Sequence, residues 1–384
     1  MLTRRFFLAS SGATAALSSL AFPRLAVARA NTPKRFVFII QRGAADGLAI
    51  VAPTGDPAFR GVRGVFADDL AGGAKLDSFF TLHPALGETA GLYAGKQALF
   101  VHAVASPYRD RSHFDGQNVL ETGGSAAYRL KDGWMNRMLS LLPPDDAKAL
   151  ALSSTVPAAL RGPHEVSSYA PSALPNASDD LLARVSKLYE GDQQLHALWT
   201  AAMATRTMAG DLSGGGGQNG AATGALAAKL LAGDSGARIA MIETSGWDTH
   251  SGQRGRLAAQ LRGLDQLVSS LRTGLGADWA NTLVIVATEF GRTAAPNGTG
   301  GTDHGTASAA MLLGGAVAGG KVIADWPGLS QGALYEGRDL KPTTDLDALI
   351  AAALAQHYGL EPPRVAATLF PDSPGSAFRE RLVG

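Results

Sequence analysis

Apolar positions along this chain follow two rhythms. Four short runs are almost continuously apolar, rich in β-branched residues, and end in turn residues: 35–41 (RFVFIIQ), 98–104 (ALFVHAV), 238–243 (RIAMIE) and 282–288 (TLVIVAT), with a weaker fifth at 309–313. Such runs predict strands buried on both faces, as in parallel sheets. Between them the period lengthens. Over residues 253–275, Leu257, Leu261, Leu264, Val268, Leu271 and Leu275 recur at three- and four-residue steps, which predicts an amphipathic helix. Residues 181–208 and 346–357 also read as helical, whereas 211–224 (DLSGGGGQNGAATG) reads as a flexible surface loop. Strands alternating with helices predict an α/β fold with a mostly parallel sheet covered on both faces. In such folds ligands bind beyond the carboxyl ends of the strands.

Composition narrows the possibilities. With 384 residues, 46% of them apolar, there is ample core for one large α/β domain or for two. The balance of 34 basic against 33 acidic residues leaves no basic field to hold a nucleic acid. There are no cysteines, so disulfides, thiolate metal sites and cysteine nucleophiles are excluded. Any metal must be held by histidine, carboxylate, hydroxyl or water.

The first thirty residues read as a targeting segment outside the fold. Arg4 and Arg5 precede Phe6, Phe7 and Leu8; an Ala/Ser-rich apolar stretch follows and closes at Ala28-Arg29-Ala30. This pattern predicts a twin-arginine signal peptide over 1–30, export through the twin-arginine machinery, and a periplasmic or secreted protein folded over 31–384. An N-terminal membrane anchor is the alternative, but the run is interrupted by Ser and Gly and is weak for a bilayer span. Beyond residue 30 no stretch has the length and apolarity of a transmembrane helix.

Three predicted strands run straight into polar residues that suit a site. The first ends in a Gly/Ala loop carrying Asp46; the third leads into SGWDTH, with Asp248 and His250; the fourth ends at Glu289. Asp248 and His250 are two apart, so in an extended segment both point to the same side. Carboxylate oxygen with imidazole nitrogen suits zinc, manganese or iron. Asp303-His304-Gly305 forms a second Asp/His cluster in a Gly/Thr-rich loop. Each has a structural reading as well. Asp-Thr-His is an ordinary turn sequence, Asp46 and Asp303 suit turns that cap backbone N–H groups, and Glu289 suits an ion pair with Arg292. Glu289 follows seven residues that read as buried, where a carboxylate is costly unless paired or coordinated.

Ser112 precedes a helix-like stretch, with Asp115 three residues later. That spacing fits a capping box. It also fits a nucleophile, because a hydroxyl at a helix N-terminus faces a cluster of N–H groups that favours an anionic ester, with Arg109 and Arg111 beside it to clamp an anion. Dinucleotide and triad chemistries have no support: the glycines around 314–320 lack G-x-G-x-x-G spacing, and no G-x-S-x-G occurs. His83, His164, His196 and His357 read as surface or packing residues.

The ordered set RGAADGL, LHPAL, RSHFDGQNVLETG, GWDTH, TEFGR and GGTDHGTA, behind a twin-arginine signal, resembles the domain-of-unknown-function 1501 family over about residues 33–384. That family is similar in turn to the alkaline phosphatase and sulfatase superfamily. The resemblance implies a three-layer α/β sandwich holding two divalent metals at the carboxyl edge of its sheet. It implies that Asp46 is a ligand and Ser112 the nucleophile. Asp248, His250 and His304 look like ligands of the first metal. Asp46 and Glu289, with Asp303 or Ser112, look like those of the second. Phe290 stands where that superfamily places a ligating histidine, so the second site holds an oxygen-liking ion or none.

These readings lead to a metal-dependent hydrolase of phosphate or sulfate esters, using zinc, calcium, magnesium or manganese. Its substrate is an anionic small-molecule or glycan ester, and Ser112, Arg111 and Arg292 take the catalytic roles. The alternative is a binding or assembly protein that keeps the fold without turnover. An isomerase or phosphotransferase on the same scaffold is a third reading.

Overall fold

Strand β1, Arg35–Gln41, is buried along its whole length and divides the interior in two. Phe36, Phe38 and Ile40 enter one core, where Trp134 meets Phe38 edge-on at 5.1 Å. Val37 and Ile39 enter the other, with Leu257, Leu261 and Leu264. A strand apolar on both faces needs cover on both faces, and helices supply it. The computed structural model describes residues 32–373 and 378–384, except 145, 171–178, 190, 193–194, 197, 201 and 204–218. Residues 1–30, where the signal peptide is expected, lie outside the described residues.

The remaining strands of the sheet are β2 (Ala98–Ala105), β3 (Ala149–Leu152), β4 (Val166–Ser168), β5 (Ile239–Thr244), β6 (Thr282–Ala287), β7 (Ser308–Leu313), β8 (Lys321–Ile323) and β9 (Thr344–Asp345). Their order is β8-β2-β7-β6-β1-β5-β3-β4, with β9 also on β2. Helices Gly87–Ala94, Gly220–Leu231 and Gln253–Leu275 cover one face. Helices Trp134–Leu139, Leu346–Tyr358 and Pro362–Leu369 cover the other. This is the expected three-layer α/β sandwich, and all five predicted strands are present. The described residues include no helix long and apolar enough to cross a membrane.

Two features of the sheet place the site. β6, β1 and β5 are adjacent and parallel, with Phe36 opposite both Ile239 and Leu283, so the loops after all three leave one edge side by side. β7 runs antiparallel to β6 and β2. The loop entering β7, which carries Asp303 and His304, therefore arrives at that same edge.

One expectation needs correction. Residues 211–218 lie outside the described residues, but Gly220–Gly224, read as loop, open the helix Gly220–Leu231. Its glycines serve close packing. A Cβ at Gly220 would sit 1.9 Å from the carbonyl oxygen of Gly263, and one at Gly224 would sit 2.1 Å from that of Leu267. The helical pattern at 181–208 is seen as Asp179–Tyr189 and again at 195–196, 198–200 and 202–203, while 190, 193–194, 197, 201 and 204–208 lie outside the described residues.

Candidate metal centre

The loop after β5 carries Asp248 and His250, and the loop entering β7 carries His304. The structure brings all three together. His250 Nε2 lies 3.0 Å from Asp248 Oδ1 and 2.9 Å from His304 Nε2, and His304 Nε2 lies 3.3 Å from Asp248 Oδ1. A residue that the sequence reading passed over joins them. His113, first in the helix His113–Thr122, places its Nε2 3.5 Å from Asp248 Oδ2. Ligand atoms of His113, Asp248 and His304 all lie within 4.8 Å of one another.

The far nitrogens of the three rings each meet an acceptor. His304 Nδ1 is 2.9 Å from the Arg111 carbonyl oxygen, His250 Nδ1 is 3.0 Å from Asp303 Oδ1, and His113 Nδ1 is 2.8 Å from Glu289 Oε1. A carbonyl or carboxylate oxygen only accepts, so each Nδ1 carries the hydrogen and donates it. In its neutral form each ring then turns a bare Nε2 inward. Two consequences support a cation there. His113 Nε2 is buried with no hydrogen-bond partner. The Nε2 atoms of His250 and His304, at 2.9 Å, would oppose lone pairs unless a proton or a metal ion lies between them. His250 Nε2, His304 Nε2 and Asp248 Oδ1 stand 2.9–3.3 Å from one another, close to the edge of about 3.3 Å between ligands held at about 2.0–2.1 Å around zinc, and His113 Nε2 approaches the other oxygen, Oδ2, at 3.5 Å. The residues fit a divalent metal of the nitrogen-accepting kind.

Electrostatics favour the same arrangement. Burial pushes the Asp248 carboxyl up, but the hydrogen bond and charge of Arg292 outweigh it, and the group is held below the usual carboxylate range. Burial, reinforced by the nearby His113, lowers His304. His113 is raised, chiefly by its hydrogen bond to Glu289.

The other predicted residues have different surroundings. Asp46 is buried and bonded elsewhere: its Oδ2 accepts from Arg63 and Gln253 at 2.5 Å each, and its Oδ1 accepts from the Ala49 N–H at 3.2 Å, capping a short helix. Glu289 is buried and adjoins the group through His113, with Oε1 also accepting from the Gly43 N–H at 2.8 Å. It makes no ion pair with Arg292. That arginine is buried behind Asp248, donating to Oδ1 at 2.7 Å and to Thr302. Asp303 is exposed and holds His250, while Asn297 and His250 together keep its carboxyl low.

Ser112 stands at the N-terminus of the helix, but its side chain makes no capping hydrogen bond, so the capping-box reading fails and the hydroxyl is not committed to the backbone. Both neighbours of Ser112 touch the centre, Arg111 through its carbonyl and His113 through its ring. The arginines do not form the expected clamp. Arg111 turns its side chain to Asp339 at 2.8 Å and Glu336 at 2.6 Å, and Arg109 donates to the carbonyls of Ser106 and Tyr108. Phe290 is buried and stacks on the His113 ring, with centroids 5.1 Å apart. As expected, His83 and His357 are buried in packing, and His164 and His196 are exposed.

The profile of a family described as "Protein of unknown function (DUF1501)" matches residues 33–369. The chain belongs to the DUF1501 family. No curated protein matches this DUF1501 chain. Among solved structures it is similar to the C-terminal periplasmic domain of EptC from Escherichia coli in complex with zinc, at 10% identity and TM-score 0.34 over 74% of each chain. It is also similar to a mutant TAB5 alkaline phosphatase with magnesium bound, at 14% identity and TM-score 0.36, covering 76% of this chain and 94% of that one. A third is the phosphonate monoester hydrolase of Agrobacterium radiobacter, at 12% identity and TM-score 0.34 over 90% of this chain and 79% of that one.

Proposed function

We propose that this DUF1501 protein is an exported, metal-dependent hydrolase of phosphate or sulfate esters. The observation that carries the reading is the convergence of inward-facing Nε2 atoms on Asp248, with every Nδ1 already committed to an acceptor. His113, Asp248 and His304 would hold the ion, and His250, in contact with the latter two, would complete the set. Three imidazoles and one carboxylate suit zinc or manganese better than calcium or magnesium, which prefer oxygen. Such an ion supplies Lewis acidity toward an ester oxygen.

In this reading Ser112 attacks the phosphorus or sulfur from the helix N-terminus, where backbone N–H groups favour the anionic ester. The alcohol leaves, and water then releases the acid. Arg292 keeps Asp248 ionised and oriented. It is buried, with one N–H of each nitrogen on Asp248 or Thr302, and acts through that carboxylate. Export would follow from the twin-arginine signal at 1–30, with periplasmic or secreted protein as the product.

A specific observation favours the second reading, a binding protein on the same fold. Arg109 and Arg111 are engaged by backbone and carboxylates, and Asp46 by Arg63, so among the described residues these side chains form neither an arginine clamp nor a second metal set. The two readings separate in one assay. Zinc-loaded and manganese-loaded protein are tested on aryl phosphate monoesters, diesters and sulfates alongside Ser112→Ala. The hydrolase reading expects turnover that falls at least a hundredfold in the variant. Turnover equal in both removes Ser112 from its role, and no turnover on any ester leaves the binding reading.

A further inference from the structure

We propose that Glu289 is a positioning residue rather than a metal ligand: it holds His113 so that its Nε2 faces the metal. The assignment rests on the metal centre proposed above and gives its most buried carboxylate a different task. Glu289 Oε1 accepts from three donors, the Gly43 N–H at 2.8 Å, His113 Nδ1 at 2.8 Å and Gln117 Nε2 at 3.1 Å. An oxygen so engaged has no lone pair to offer an ion. Its partner Oε2 is directed at the Thr288 hydroxyl, 3.0 Å away. Burial alone would raise this carboxyl, but these hydrogen bonds, His113 foremost, outweigh it and hold it low and charged.

The cradle is built for that one contact. Gly43 adopts φ +116°, a conformation that disfavours side chains, and a Cβ there would lie 2.5 Å from the Asp248 nitrogen. Only glycine lets this N–H reach Glu289 while the Asp248 loop passes beside it. Gln117 is oriented by Arg42, which donates to its Oε1 at 2.9 Å, leaving its amide N–H for Glu289. Arg42 is itself fixed by Glu121 at 2.9 Å and Glu243 at 2.5 Å. Phe290 stacks against the His113 ring and blocks rotation. A carboxylate bonded to the outer nitrogen of a metal-bound imidazole fixes its tautomer and raises its basicity, and losing it costs about 10–100-fold in metal affinity.

Glu289→Gln is the test, because the pocket can take it. Its amide oxygen keeps the three donors, and its NH₂ faces Thr288 Oγ1, which can accept while donating to the Gln41 carbonyl at 2.7 Å. Zinc binding is measured by competition with a chromogenic chelator for wild type, Glu289→Gln and Asp248→Ala, with thermal melts of the metal-free proteins. The expected result is zinc affinity about 10–100-fold weaker in Glu289→Gln at an unchanged metal-free melt. Affinity equal to wild type overturns the assignment while the metal centre stands. Loss as complete as in Asp248→Ala also overturns it, by making Glu289 a ligand. Wild type that binds no zinc removes the metal centre itself. Should Glu289→Gln not fold, cobalt-loaded wild type decides. A slowly exchanging, paramagnetically shifted N–H resonance, missing from His113→Gln, is expected from His113 Nδ1–H; its absence overturns the assignment.

Discussion

At the scale of the residue, Asp46 is held by Arg63, and His113, given no role by the sequence, joins Asp248 and His304. Asp46 ends the first predicted strand in the position of a ligand, yet it meets Arg63, and both side chains are 1% exposed. Removing one partner of such a pair leaves a buried charge uncompensated, at about 3–5 kcal/mol. Asp46→Asn should therefore lower the free energy of unfolding by about that much, while bound metal per chain stays unchanged; a lost ion at full stability would restore Asp46 as a ligand. Asp248, His250 and His304 were legible because they cluster in sequence, as D-x-H and D-H among small residues. His113 was not, because its partner Glu289 lies 176 positions away and RSHFDG reads first as a helix start. Arg63 likewise carries no local signal of its pairing.

At the scale of the element, the strands were legible because burial on both faces leaves an unbroken apolar run; β1 has the predicted bounds, Arg35–Gln41. The helix Gly220–Leu231 was not. Its Gly and Ala residues have little periodic contrast, and what they provide is closeness to the helix Gln253–Leu275. The two sides of this contact respond oppositely to a methyl group. Gly224→Ala pushes a carbon to within 2.1 Å of the Leu267 carbonyl, and overpacking of this kind costs about 1–3 kcal/mol or more. Gly263→Ala, in the facing helix with nothing within 4 Å of its new carbon, should gain about 0.5–1 kcal/mol from helix propensity. Chemical denaturation of the two variants checks the signs; two destabilised variants would contradict the packing described.

At the scale of the whole molecule, the sheet gathers one strand-end carboxylate and three loop-borne side chains at a single edge, and its antiparallel β7 is what delivers His304 there. Stability of the same fold depends on pH through groups outside the site. Burial lowers His102 and His357 to about 4, so the stability tied to their neutral forms is present above about pH 6.5 and is lost as pH falls toward 4. Asp347 behaves in the opposite sense. Burial, with Asp345 nearby, raises it from 3.8 to about 7, so the folded state binds the extra proton in this window and loses stability as pH rises through it. Asp347→Asn should exceed wild type by more at pH 8 than at pH 5 in denaturation midpoint; an equal offset at both would contradict this.

The central claim is that a divalent ion is held where His113, His250 and His304 face Asp248. Elemental analysis of protein purified without chelators, for wild type and Asp248→Ala, tests it most directly. The account predicts about one zinc or manganese per wild-type chain and none in the variant. Metal-free wild type that takes up no ion on reconstitution, or a variant that keeps its ion, would contradict it.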